Sequence, residues 1–165
     1  MLSLEKGRAV ANPLFGTIPA ELAQNPLLTE AGTPHFYRIK AAHIVPAVRF
    51  MLVRAEEALH RIEAGITPTW AGAVEAFEPP NRMLERAWGP VTHLFGVMNT
   101  DALRQAYETV RPEVVRFGLR VSQSEPAYKA LKALKGGSEW KALDAACDAI
   151  DALSSAPAWH LRLPA

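Results

Sequence analysis

The sequence predicts an all-α protein, and three observations carry that prediction. From Val48 onward, apolar residues recur at spacings of three and four, the period of a helix with one buried face. No stretch alternates apolar and polar residues convincingly enough to read as a strand. Proline, glycine, serine and threonine fall at the ends of the periodic stretches, where helices start and stop. The expected architecture is a bundle of about five antiparallel helices after a Pro/Gly-rich N-terminal arm.

The arm, residues 1–39, carries Pro13, Gly16, Pro19, Pro26, Gly32 and Pro34. Each proline lacks a backbone donor and restricts its predecessor, so an extended segment is expected, with one short helical turn around Glu21. Asn12-Pro13-Leu14 is echoed by Asn25-Pro26-Leu27, too little to define a repeat. The helical domain, residues 40–157, opens with Val48, Met51, Leu52, Ala55, Leu59 and Ile62 in helical register. That pattern predicts an amphipathic helix closing near Gly65, with Pro46 in its first turn. Thr69 is placed to cap the next helix at Trp70.

Trp70, Val74, Phe77, Leu84, Trp88, Val91, Phe95 and Met98 keep one heptad-like register straight through Pro79-Pro80. Each proline in a helix interior costs ~3 kcal/mol or more, so a break is expected there, leaving both pieces on the same core. Pro90 suggests a second bend. Asn99-Thr100-Asp101 caps a helix whose stripe is Leu103, Tyr107, Val110, Val114, Phe117 and Val121, interrupted by Pro112. After Ser122 to Pro126 a shorter helix runs to Lys135, where Gly136-Gly137 stops it. Ser138 caps a last helix with Trp140, Leu143, Cys147 and Ile150 inward, and Pro157 ends it. Residues 158–165 form a C-terminal tail.

Composition narrows the function. A chain of 165 residues fits one domain, and 49% hydrophobic with 21% charged residues is ordinary for a globular protein. The net charge of +1, with lysine and arginine spread among acidic neighbours, argues against nucleic acid or an anionic membrane as partner. No apolar run approaches the ~20 residues that span a bilayer, and none follows Glu5, Lys6 and Arg8 as a signal peptide would. Cys147 is the sole cysteine, which excludes an internal disulfide and suits a reducing cytoplasm.

Candidate chemistry is sparse. The histidines are His35, His43, His60, His93 and His160, and none pairs with another at ligand spacing on a helix. Glu57-Ala58-Leu59-His60 is the nearest approach to a metal motif. A di-iron bundle needs two such pairs with carboxylates from further helices, and Glu56 and Glu63 lie on the same solvated helix. His43 is expected to bond backbone groups at a helix start and His93 to sit in or beside the core. Ser122, Ser124, Ser138, Ser154 and Ser155 lack a nucleophile elbow, and Gly136-Gly137 lacks the rest of a phosphate loop. Trp70, Trp88, Phe95, Tyr107, Phe117 and Trp140 share the helix stripes and are expected in the core. No catalytic, cofactor-binding or metal-ligating residue is assigned.

One segment is more specific. Leu84 to Tyr107 reads LERAWGPVTHLFGVMNTDALRQAY. Its Trp88, His93-Leu94, Asn99-Thr100 and Leu103-Arg104-Gln105-Ala106-Tyr107 resemble the N-terminal helical region of the thimet-type zinc oligopeptidases, peptidase family M3. The oligopeptidase A group is the nearest in pattern. Asn25-Pro26-Leu27-Leu28, His43-Ile44-Val45-Pro46-Ala47-Val48 and Thr69-Trp70 extend the resemblance over roughly Asn25 to Tyr128, after which it fades. Pro79-Pro80 departs from the family pattern.

The resemblance implies a helical layer forming one wall of a channel that admits short peptides. It places zinc, its ligands and the catalytic glutamate in a catalytic portion marked by H-E-x-x-H, a motif absent from this sequence. The chain is therefore expected not to be an enzyme by itself, but the non-catalytic N-terminal domain of such a peptidase, truncated or split. Its partner would be an M3-type catalytic domain or its own missing C-terminal part. The alternatives are a free-standing helical interaction module with no peptidase role and a metal-binding bundle resting on Glu57 and His60.

Overall fold

A computed structural model describes residues 9–13, 15–29, 32–98 and 100–155. The helical class is borne out. Five helices of 12 to 25 residues make up most of the described chain: α2 (Ala41–Gly65), α4 (Glu78–Val97), α5 (Asp101–Ser122), α6 (Glu125–Gly136) and α7 (Ser138–Ser155). Two one-turn helices, α1 (Pro26–Thr29) and α3 (Trp70–Ala73), join them, with a two-stranded hairpin of β1 (Val10–Asn12) and β2 (Gly16–Ile18).

The central element is α2. Ile44, Ala47, Val48, Met51, Ala55, Ala58 and Leu59 are buried along one stripe, and α4 and α5 both pack against it. The helix starts earlier than the apolar period indicates. Pro46 lies inside α2, beyond the first turn expected for it. The start is fixed by His43, whose Nδ1 accepts the Lys40 backbone N–H at 3.1 Å while its own N–H donates to the Lys40 carbonyl. That satisfies donors a helix start leaves open.

Pro79 and Pro80 occupy the first turn of α4, where a missing donor costs nothing. The break therefore falls before them, at Val74, where α3 ends and a 3-10 turn over Glu75–Phe77 begins. The two pieces do not share one core, contrary to expectation. Phe77 and α4 pack on the main cluster, whereas Ala73 and Val74 join a satellite cluster with Ile66, Ala130, Leu134 and Trp140. The buried stripe of α4 is Met83, Ala87, Val91 and Leu94, so Leu84, Trp88 and Phe95 flank it rather than form it. Met98, expected inside, is 61% exposed, and Trp70 is 37% exposed.

On α5 the stripe falls close to the expected positions, with Leu103, Val110, Val114 and Phe117 buried beside Ala106. Thr100 caps it by accepting the Leu103 N–H, while Asn99 lies outside the described residues. Tyr107 is half-buried and stacks on two rings of α4, Trp88 at 4.8 Å and Phe95 at 4.1 Å between centroids.

The N-terminal segment differs most from its reading as an extended arm. Its short turn over Ala20–Leu22 is present, but Phe15, Ile18, Leu27 and Leu28 are buried in the main core. The hairpin pairs Val10 with Ile18 and Asn12 with Gly16, the latter at φ 73. Such three-residue strands are too short to show an alternating pattern. The echoed tripeptides turn out to do the same job. The Asn12 Oδ1 accepts the Phe15 N–H and its Nδ2 donates to the Leu28 carbonyl at 2.9 Å. Likewise, the Asn25 Oδ1 accepts the Leu27 N–H and its Nδ2 donates to the His43 carbonyl at 2.9 Å. Each asparagine turns its own chain and latches it to the next segment.

The last helix also departs from expectation. Cys147 is exposed rather than turned inward. Trp140 is half-buried against the satellite cluster. The side chains of Leu143 and Ile150 lie outside the described residues, as do Glu5, Lys6, Arg8, Pro157, His160 and the tail.

Candidate functional site: a polar junction beside an apolar seam

Arg49 of α2 pairs with Glu113 of α5 at 2.8 Å, and two further groups of polar side chains lie along α2. Glu57 pairs with Arg54 at 2.8 Å, and Arg54 reaches on to the Thr17 carbonyl, tying the hairpin to α2. His60 lies beside other carboxylates of α2. Its Nε2 lies 3.3 Å from Glu56 and its Nδ1 3.9 Å from Glu63. The E-x-x-H spacing therefore does not make a unit.

Glu63 anchors the second group. Its carboxylate accepts both terminal nitrogens of Arg120, at 2.8 and 2.5 Å, and the Ser124 hydroxyl at 2.5 Å. Arg120 also lies 3.7 Å from Glu56. The Glu63 side chain is only 11% exposed, so it is not the solvated residue expected from its position. The Arg120 guanidinium holds its carboxyl below the usual range, aided by Ser124 and opposed by burial. Ser124 is also the N-cap of α6, accepting the Ala127 N–H. One carboxylate thus joins the end of α2, the end of α5 and the start of α6. Nothing in the periodicity marks Glu63 and Arg120 as partners, since 57 residues separate them.

The other described histidines lie apart from this junction. His43 belongs to the start of α2, with its pKa lowered by burial and by nearby Lys40. His93 lies on the rim, exposed, with its ring 4.8 Å from that of Phe36. His35 meets Tyr37 edge to face. Among the described residues, no three His, Cys, Asp or Glu side chains converge as metal ligands. Glu57 is engaged by Arg54 and Glu63 by Arg120.

Beside the junction lies an apolar seam between α3 and α6. One stretch is a cleft of about 380 Å³ lined by Trp70, Leu134, Trp140, Ala142 and Ala146. The other, about 370 Å³, is lined by Val74, Phe77, Val121, Tyr128 and Leu131 among others. Tyr128 is 63% and Leu131 41% exposed. Glu139 of α7 closes the first cleft at one end by accepting the Trp70 N–H at 3.1 Å. Such a surface suits contact with another apolar surface better than chemistry on a small molecule.

Fold and surface together define a helical domain built for packing, in which the Arg49–Glu113 and Arg120–Glu63 pairs join separate helices. The chain belongs to the neurolysin/thimet oligopeptidase N-terminal domain family, whose model matches residues 48–155. That match runs through α7, beyond Tyr128 where the resemblance in motifs fades. The chain is 39% identical over 125 residues to organellar oligopeptidase A, chloroplastic/mitochondrial, of Arabidopsis thaliana, covering 76% of this chain and 16% of the relative. It is 38% identical over 125 residues to the probable cytosolic oligopeptidase A of the same plant, covering 76% and 18%. To oligopeptidase A of Escherichia coli (strain K12) it is 36% identical over 123 residues, covering 74% and 18%. The chain thus spans less than a fifth of the length of these relatives.

Proposed function

We propose that the chain acts as the non-catalytic N-terminal helical domain of an oligopeptidase A-like zinc metallopeptidase, shaping one wall of its peptide channel. The family match across α2 to α7 carries this reading. Support also comes from the polar residues, because none of the described clusters suits a zinc ion with an open position for water. In this reading the zinc ligands and the water-activating base belong to a catalytic portion, in the same polypeptide or a separate one. This domain contributes packing and the limits on peptide entry. A cytoplasmic location is part of this reading, supported by the relative named cytosolic and set against the one named chloroplastic/mitochondrial.

The test has two arms. The purified chain is assayed on a quenched oligopeptide with added zinc and with chelator, and no cleavage is expected in either. The chain is then grafted into Escherichia coli oligopeptidase A in place of the matched segment. The chimera is expected to hydrolyse short peptides and to leave folded proteins intact. Chelator-sensitive cleavage by the isolated chain, or a folded chimera without peptidase activity, would overturn the reading.

A further inference from the structure

The satellite layer of α3, α6 and α7 is underbuilt. Its buried residues are Ala73, Ala130 and Leu134, with Ile66, Val74 and Trp140 half-covered around them. On this small cluster rests α7, an 18-residue helix that packs mainly against α6. In proteins most helical stability comes from a packed amphipathic face rather than from propensity, and α7 has little such face covered here. The family's domain nevertheless includes α7, since the match extends to residue 155.

The inner faces of the main helices are already used, while Val97 on α4 and Val115 and Leu119 on α5 stay exposed as single apolar side chains. Both α4 and α5 cover α2, while α1 covers α2 and α4. The seam of α3 and α6, with Trp70, Tyr128, Leu131 and Trp140 along it, retains apolar side chains without full cover. In the relatives the matched stretch is 16 to 18% of the protein, so most of each polypeptide lies outside this domain and must meet it somewhere.

We propose that the α3–α6 seam, with the adjoining side of α7, is the face against which the catalytic portion of an oligopeptidase A-type protein docks. The proposal rests on the function assigned above and adds the location of the contact. Trp70, Leu131 and Trp140 are the anchors, aromatic or branched side chains partly desolvated before docking and fully buried after it. The partner surface is apolar at its centre, because the first cleft is lined by aromatic, leucine and alanine side chains around the already engaged Glu139.

Cys147 provides a built-in reporter. It is exposed and lies two helical turns from Trp140 on the same side of α7. Peptide-resolved alkylation of Cys147 is compared between the isolated chain and the chimera with Escherichia coli oligopeptidase A. Protection of about tenfold or more in the chimera is expected, as for a site that reacts only after local opening. Leu131→Asp and Trp140→Asp are expected to lower the melting temperature and activity of the chimera. Leu131→Asp, at an exposed position, is expected to leave the melting of the isolated chain unchanged. Val115→Asp, on exposed surface of α5, serves as the control and is expected to be silent in both.

An active chimera in which Cys147 reacts at its free rate, and in which Leu131→Asp is silent, overturns the docking face while leaving the functional reading intact. A folded but inactive chimera removes both. Protection of Cys147 in the isolated chain that grows with its concentration assigns the face to a second copy and likewise overturns the proposal.

Discussion

Glu63 near the end of α2 and Arg120 near the end of α5 form a two-pronged ion pair that also receives the Ser124 hydroxyl. The pair fixes where α5 turns into α6. Because the Glu63 side chain is largely covered, removing it takes the acceptor away from the Arg120 guanidinium and the buried Ser124 hydroxyl. Glu63→Ala is expected to cost about 2 kcal/mol of unfolding free energy in urea titration, the scale of a charged hydrogen bond lost from a covered site. A double-mutant cycle with Arg120→Ala is expected to show coupling of about 1 kcal/mol, since Arg120 is partly in water. Additive effects would remove the junction as a stabilising feature.

Acid should loosen the domain in two separable stages. His43 has its pKa lowered from 6.5, so the folded state favours the neutral ring whose Nδ1 accepts the Lys40 N–H. Its contribution is complete above 6.5 and falls as pH drops below that value. Glu63 has its carboxyl pKa lowered from 4.5, so its contribution is complete above 4.5 and is lost as pH falls further. Melting temperatures from circular dichroism between about pH 3 and 8 should decline in both windows. His43→Gln should flatten the upper stage and Glu63→Gln the lower. A profile unaltered by either substitution would refute the assignment.

Two glycines should respond in opposite directions to alanine. A Cβ on Gly72 would sit 2.1 Å from the Thr67 Oγ1 and 2.8 Å from the Thr67 carbonyl oxygen, which as backbone cannot swing away. Gly72→Ala is therefore expected to destabilise by about 1–3 kcal/mol, the usual cost of overpacking. Gly118 lies within α5 with nothing inside 4 Å of such an atom. Gly118→Ala is expected to stabilise by about 0.5–1 kcal/mol through helix propensity alone. Urea denaturation of both variants decides the matter.

Asn25 is buried, and its amide bonds both its own turn and the carbonyl of His43. Asn25→Ala strips both bonds and leaves the buried Leu27 N–H without its acceptor, at about 1–3 kcal/mol. Limited proteolysis should then cut earlier and faster between residues 9 and 40 than in the wild type. An unchanged cleavage pattern would show that apolar contacts alone hold this segment.

The helices of the core were legible because periodicity reports which side of a helix is dry. On α5 the expected Leu103, Val110, Val114 and Phe117 are buried, and on α2 so are Val48, Met51, Ala55 and Leu59. Periodicity is silent about which neighbour makes a residue dry, so it gives no sign that Val74 falls in the satellite cluster and Trp70 at its open edge. It also cannot register a shift of one residue, hence Leu84 and Trp88 beside the stripe of α4 instead of in it. Cys147 sits in an apolar pattern whose outer side has no cover within the described domain. The N-terminal segment was opaque for another reason. Its order comes from asparagine amides bonding carbonyls 16 and 18 residues away, which local propensity cannot express. The same holds for Glu63, Arg120 and Ser124. The motifs shared with the oligopeptidase family were readable as sequence, yet Trp88 and Tyr107 explain themselves only as a stack of rings between α4 and α5.

The asparagine latches decide where this domain can be cut free. A piece starting at residue 48, where the family match begins, would enter part-way along α2 and lose Ile44 and Ala47 from its buried stripe. It would also discard Phe15, Ile18, Leu27 and Leu28, baring the floor they cover. A portion that keeps this floor and both asparagine latches begins ahead of Asn12, well before residue 48.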